Sequence, residues 1–377
     1  MCYFFFTKKS CRRPLSKYFF IFFYDHQKAL TKFILYFGIV FFLLNFTSRH
    51  GIAKCPTRMG SIFPQDYFSV IARRGSTVKF PENTIPAFEE ALNSDGANSL
   101  EVDLSLTKDR EVILWHDWNP NTPIALIRRE TGEKMAKFKP YGPSLKQSQW
   151  RKKISDLTLP QFINQYGYKD KLTNTETKIK IPNLSDLFEW ALQQDKLKLL
   201  LLNLRAPKNE NHLASVILEE IRRTIGSNHA IPHFQILIIT PYKEVLKRVS
   251  NQFDEFLFSF NRKLPSDGII NYHRFTTVPI AMRFKNIYSI ISFPIYSDSN
   301  ESQAMDPWII YKYILTLDFK IRDNYKKSNS HYIKIFSGTL NDEKKIRCLI
   351  NLGVNGIVTD RPKMLRRIAL DMGKTVD

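Results

Sequence analysis

The sequence predicts an α/β chain: a (β/α)8 barrel with long loop insertions, preceded by an N-terminal hydrophobic leader. Three observations predict it. From Tyr67 onward, strand-like and helix-like segments alternate about eight times with a single period, the pattern of a parallel sheet. About 300 residues follow the leader, near the size of one closed barrel. Polar side chains collect near the ends of the predicted strands, where such barrels carry their chemistry. A doubly wound open sheet is the alternative. The nucleotide-binding version of that sheet is weakened because no G-x-G-x-x-G follows the first strand.

Residues 1–53 do not read as fold. Lys8, Lys9, Arg12, Arg13, Lys17, Lys28 and Lys32 precede an apolar run from Phe33 to Leu44. As a helix that run spans about 18 Å, short of the roughly 30 Å of bilayer hydrocarbon. The length suits a signal peptide, with Gly51-Ile52-Ala53 offering small residues for cleavage. An uncleaved anchor over residues 33–47 and a mispredicted start codon are the competing readings. The expectation is a secreted or periplasmic protein, or one anchored to a membrane. Residues 54–66 read as a linker and 67–373 as the barrel domain.

Within the barrel, Phe68–Arg73 is a short apolar strand and Thr84–Asn93 an amphipathic helix. Ser99–Leu106 alternates strictly, and Val112–Trp115 is a further strand ending at His116. Asp117–Lys153 has little periodicity and reads as a loop insertion. Helices at Asn183–Gln194, Asn211–Ile225 and Tyr242–Gln252 alternate with strands at Leu197–Leu204, Phe234–Thr240 and Phe256–Phe260. Ile287–Phe293 reads as a strand and Pro307–Leu317 as a helix. The chain closes with strand Tyr332–Phe336, helix Asp342–Leu352, strand Gly356–Val358 and helix Pro362–Asp371.

Composition narrows the class. An apolar fraction of 43% with 24% charged residues excludes a disordered chain, a collagen and a protein made mostly of membrane spans. The net charge is +20, of which +9 lies in residues 1–58. No helix-turn-helix, zinc-finger or RNA-binding signature accompanies that charge, so no nucleic-acid partner is expected. A basic surface drawn to phosphates or to anionic lipid, including a membrane surface, fits better. The four cysteines are Cys2, Cys11, Cys55 and Cys348. They form no zinc spacing and no disulfide framework, and Cys348 reads as a buried apolar residue.

One set of residues carries chemistry. It reads Ile71-Ala72-Arg73-Arg74-Gly75, Pro81-Glu82-Asn83-Thr84, Glu101-Val102-Asp103 and His116-Asp117. Glu101 and Asp103 are two apart on a strand, so both point to one face, where they could hold a hard divalent cation. The alternative is the polar face of a half-exposed strand. His116 ends the next strand and is a candidate proton donor or acceptor.

In combination these motifs resemble the glycerophosphodiester phosphodiesterase family, whose pattern is H-R-G, P-E-N-T, E-x-D and H-D in that order. Gly353-Val354-Asn355-Gly356-Ile357-Val358-Thr359-Asp360-Arg361-Pro362 is similar to its closing G-V-D-G-I-I-T-D-x-P, and Gly338-Thr339-Leu340-Asn341-Asp342 to its W-T-V-N-D. The resemblance runs from Phe68 to Leu370 and is weak across 206–330. It implies a TIM barrel that cleaves glycerophosphodiesters or lysophospholipid headgroups with a Ca²⁺- or Mg²⁺-like ion. It also implies two histidines as acid and base, three carboxylates on the metal, and a basic clamp on the phosphate. Carried onto this chain, His116 is the acid/base group, Glu101, Asp103 and Asn203 are the metal ligands, and Arg73, Arg74 and Arg205 are the clamp. Glu82 supports the site, more readily as an ion-pair partner of Arg74 than as a metal ligand.

Three departures follow. Arg73 occupies the first histidine's position and cannot serve as a base. Asn203 stands where the family places Glu or Asp, so metal binding is expected to be weak. Gly338 replaces a common Trp and removes one wall of the cleft. A degenerate member that binds phosphodiesters or anionic lipid without turnover is therefore the alternative to a hydrolase.

Overall fold

The computed structural model describes residues 67–144, 149–205, 210, 212–227, 232–240 and 334–376, together with the backbone of two further strands, 257–263 and 287–292. The leader, the linker and the predicted helices at 242–252 and 307–317 lie outside the described residues. No helix among the described residues is long and apolar enough to cross a membrane.

The first half contains β1 (Ser69–Arg73), α1 (Ile85–Asn93), β2 (Ser99–Leu106), β3 (Val112–Leu114), α2 (Pro123–Thr131), β4 (Phe138–Tyr141), α3 (Leu159–Ile163), β5 (Gly167–Asp170) and α4 (Leu184–Ala191). The second half contains β6 (Leu199–Leu204), α5 (His212–Ser227), β7 (Gln235–Thr240), β8 (Leu257–Lys263), β9 (Ile287–Ser292), β10 (Ile335–Gly338), α6 (Glu343–Leu352), β11 (Gly356–Thr359) and α7 (Pro362–Asp371).

Eight strands pair in parallel in the order β1-β2-β6-β7-β8-β9-β10-β11, and β11 returns to β1. The sheet is a closed barrel. Strands in such a sheet are covered on both faces, so they read as near-continuous apolar runs. Leu-Leu-Leu-Leu-Asn-Leu in β6 is buried at every position. Ile71, Leu199, Leu201, Leu237, Ile239, Phe336 and Val358 form one core cluster across five barrel strands. The side chains one step further along, Arg73, Glu101, Asp103 and Asn203, are buried and charged or polar. Register sets Arg73 opposite Glu101 and Asp103 opposite Asn203, which gathers them at the carboxyl ends of three adjacent strands.

Three expectations are corrected. The strand at 112–115 is not a unit of the barrel: β3 folds back antiparallel on β2. The stretch 117–153 is not a bare loop but contains α2 and β4, and β4 pairs with β5. Cys348 is buried as expected, but it is disulfide-bonded where no disulfide framework was expected.

The segment after β3 has its own core. Trp115 packs against Phe162 and Tyr168, with ring centroids 5.3 Å and 5.1 Å away, beside Ile113, Ile154, Leu157 and Tyr166. This satellite core seats the insertion against β3.

The turn after β1 shows why Arg-Gly is needed there. Arg74 adopts a left-handed φ of 56° and Gly75 a φ of 85°. A Cβ on Gly75 would lie 2.6 Å from the backbone of Ala87 in α1. Gly75→Ala therefore meets both backbone strain and a clash, and should cost about 1–3 kcal/mol. The check is a lower denaturant midpoint at unchanged m-value; an unchanged midpoint would mean that α1 moves aside freely.

Candidate active site

The Pro81–Thr84 motif is a bracket between β1 and β2. Thr84 Oγ1 donates to the Pro81 carbonyl at 2.7 Å and the residue is the N-cap of α1. Asn83 has a φ of 55°, a conformation that Asn tolerates better than most side chains. Its Oδ1 accepts from the Asp103 backbone N–H at 3.1 Å, and its own N–H donates to the Arg74 carbonyl at 3.0 Å. The Arg74 N–H donates to the Glu101 carbonyl at 2.8 Å. The chain around Arg74 is thus fixed to both neighbours, and its guanidinium is only 3% exposed.

That guanidinium meets three carboxylates. Arg74 Nη1 donates to Glu82 Oε2 at 2.8 Å and to Glu133 Oε1 at 2.7 Å. Its Nε lies 2.6 Å from Asp103 Oδ2 in ionic contact, though out of line for a hydrogen bond. Arg73 pairs with Glu133 and reaches Asp360 Oδ1 at 3.3 Å. Arg205 donates through Nε to the His116 carbonyl at 3.2 Å and lies 3.8 Å from Asp103.

Two residues missed by sequence reasoning complete the set. Arg128, on α2, is buried and pairs with Glu82, Glu133 and Asp117. Glu133 follows α2 and receives Arg73, Arg74 and Arg128. Both belong to the insertion, where charged residues in a sequence look like solvated surface. Asp117 Oδ1 lies 2.6 Å from His116 Nδ1 and also accepts from Arg128 Nε at 3.2 Å.

The E-x-D pair is buried on both carboxyls, so the half-exposed strand does not apply. Asn203 turns its Nδ2 toward both, at 3.0 Å from Glu101 Oε1 and 2.9 Å from Asp103 Oδ1. Desolvation, reinforced by Asp103, pushes the Glu101 carboxyl up to about 7. Asp103 is desolvated too, but Arg74, Arg205 and Arg73 outweigh that and hold it below the ordinary range. Burial pushes His116 well below the usual imidazole value, and the positive charge of Arg205, Arg74, Arg128 and Arg73 pushes it further.

As donors for a hard cation these residues are adequate and few. Glu101 Oε2 and Asn203 Oδ1 are buried oxygens without a partner. Asp103 is already faced by Arg74, Asn83, Asn203 and Arg205. No cluster of three His, Cys, Asp or Glu suited to a metal occurs among the described residues. The set is compatible with one weakly held ion.

At Gly338, φ is 136° and a Cβ would lie 2.4 Å from the Val358 carbonyl oxygen. The backbone here leaves no room for a large side chain in place of glycine.

Residues 74–364 match the glycerophosphoryl diester phosphodiesterase family. Human lysophospholipase D GDPD1 is 24% identical over 322 residues, covering 84% of this chain and 90% of its own. A candidate glycerophosphoryl diester phosphodiesterase of Silicibacter pomeroyi DSS-3 has the same fold, with a TM-score of 0.60 at 16% identity, covering 84% of this chain and 97% of that one. A phosphodiesterase of Oleispira antarctica, solved with its product sn-glycerol-3-phosphate, superimposes with a TM-score of 0.51 at 18% identity over 81% of this chain and 97% of that one. With this match spanning most of the barrel, the chain belongs to the glycerophosphoryl diester phosphodiesterase family.

Proposed function

We propose that the chain is a slow phosphoric diester hydrolase acting on glycerophosphodiesters or lysophospholipid headgroups. The observation that carries this reading is the convergence of Arg73, Arg74 and Arg205 on the mouth that also holds His116. Guanidinium groups suit the paired oxygens of a phosphodiester. The human relative is named a lysophospholipase D and the Oleispira structure holds sn-glycerol-3-phosphate, which supports the substrate class.

His116 does the proton work. With Nδ1–H given to Asp117, the Nε2 lone pair takes the proton of the attacking hydroxyl. That hydroxyl is water's: its oxygen bonds to phosphorus, the bond to the leaving alcohol breaks, and the imidazolium returns its proton to the departing oxygen, leaving a phosphomonoester and a free alcohol. Arg73, protonated at all working pH values, supplies charge where the resemblance implies a second histidine. One group serving both steps makes turnover slow. Arg128 fixes Asp117 and thereby the imidazole. Glu101, Asp103 and Asn203 would hold a divalent cation, Ca²⁺ or Mg²⁺, which when bound neutralises charge on the phosphoryl oxygens.

The engagement of Arg73 by Glu133 and Asp360 favours a second reading, a family member that binds phosphodiesters or anionic lipid without turnover. The leader and the disulfide at Cys348 support export to an oxidising compartment, as a secreted or periplasmic protein or one held at a membrane through residues 33–47.

Three experiments test these assignments. Asn203→Glu adds a charge to a hard-ion site and should tighten Ca²⁺ or Mg²⁺ binding in calorimetry; unchanged or weaker binding removes Asn203 from the ligand set. Arg73→His should raise release of glycerol 3-phosphate or free headgroup by roughly 10²-fold or more, and His116→Ala should abolish it in both backgrounds. Binding without turnover in wild type and in Arg73→His would establish the second reading. The third concerns pH. Because His116 is held below 6.5, it is already neutral at that pH, and kcat/KM should fall only at more acidic values, as pH drops through the lowered pKa. An acid limb at or above 6.5 would remove His116 as the base.

A further inference from the structure

Among the described residues, Glu133 is the carboxylate that the turn after α2, outside the barrel, brings to the mouth. Its Oε1 receives Arg74 Nη1 at 2.7 Å, Arg73 Nη2 at 3.2 Å and Arg128 Nη1, and its Oε2 receives Arg73 Nη1. Three guanidinium groups thus converge on the two oxygens of one small monoanion. The arginine side chains are 11%, 3% and 6% exposed, whereas that of Glu133 is 25% exposed, so Glu133 is the member on the solvent side. Its backbone is held separately. The Glu133 carbonyl accepts from Lys171 Nζ at 2.8 Å and from the Ala136 N–H at 3.1 Å. The side chain can therefore swing out while the loop stays in place.

Among the described residues, Asp117, Asp360 and Asp103 are each also tied by a group other than these arginines, and Glu82, held by Arg74 and Arg128 alone, is 8% exposed against 25% for Glu133. Glu82 lies between Arg74 and Arg128, and Asp117 between Arg128 and His116. Asp360 accepts from Asn341 Nδ2 at 2.7 Å, and Asp103 accepts from Asn203. Among the described residues, the hydrogen bonds and ion pairs of the Glu133 carboxylate go to the three arginines alone. A phosphodiester offers the same charge and the same fork of two oxygens, its non-bridging pair. Exchanging one monoanion for the other leaves the charge of the mouth unchanged, whereas an empty slot would leave three buried cations facing one another.

We propose that Arg73, Arg74 and Arg128 form the phosphoryl subsite and that Glu133 is its internal stand-in, which a phosphodiester monoanion displaces. The proposal rests on the phosphodiester reading above. It makes Arg128 a direct partner of the ligand, in addition to its hold on Asp117, and it makes the release of Glu133 a cost of every binding event.

The test uses the full chain in a His116→Ala background, so that ligand is not consumed, with sn-glycero-3-phosphocholine as the probe. Glu133→Gln keeps the shape and removes the charge, and should tighten the calorimetric Kd by about tenfold or more. Measurable binding that is unchanged or weaker in Glu133→Gln overturns the stand-in and leaves the phosphodiester reading intact. Absence of binding in every version overturns both. A second measurement needs no substitution at position 133. Carbodiimide labelling of the Glu133 carboxyl, read by peptide mass, should rise when the probe is added. Labelling that falls or stays level would mean Glu133 remains seated under the ligand, against the proposal.

Discussion

The mouth of this barrel depends on one buried cation. Arg74 has its backbone N–H on β2, its carbonyl on the Asn83 bracket and its guanidinium among Glu82, Asp103 and Glu133. Burying a guanidinium is costly, and burying unpaired carboxylates is no cheaper. Each of these groups is tolerable only because the others are present. Desolvation is the largest influence on Arg74, Arg128, Glu101, Asp103 and His116 alike; opposite charges outweigh it at the two arginines and at Asp103, offset it only in part at Glu101, and at His116 the surrounding arginines add to it. Removing one member strands its partners in a low-dielectric setting, where breaking a buried pair costs about 3–5 kcal/mol.

Two packing units bring these charges together. The barrel interior supplies Arg73, Glu101, Asp103 and Asn203 on strands whose lower positions are apolar. The insertion supplies Arg128 and Glu133 from α2 and the turn after it, seated by the aromatic cluster around Trp115. His116 stands at the junction, two residues after β3 and one after Trp115. Its position over the mouth is therefore set by the satellite core as much as by the barrel.

Much of the barrel was legible in the sequence because strands covered on both faces are apolar runs that stand out between helices. The role of β3 was not, since a period of two is the same for parallel and antiparallel strands. The helix α2 escaped notice for a sharper reason. Its pattern is inverted, with Arg128 buried and Ile124, Leu126 and Ile127 exposed at 60%, 39% and 51%. Periodicity arguments assume that apolar residues face inward, and here the buried face is charged. In the site, Arg74, Glu82, Glu101, Asp103 and His116 were readable because each sits in a short motif. Arg128 and Glu133 were not, because their roles exist only through contacts distant in sequence. Nor does sequence say which end of an amide faces a neighbour: Asn203 turns its nitrogen to both carboxylates.

The seam between β1 and β11 ties the site to the order of synthesis. Ser69 pairs with Gly356, and Arg73 contacts Asp360 across 287 residues of sequence. A nascent chain presents Arg73, Arg74, Glu101 and Asp103 early, long before the strand that closes the ring has left the ribosome. Until then β1 lacks its β11 neighbour and is an open edge, and Arg73 lacks Asp360. Closure of the ring, and with it the Arg73–Asp360 contact, thus waits until β11 has been made. The open edge of β1 is the surface most exposed to mispairing while the chain waits for its last strand.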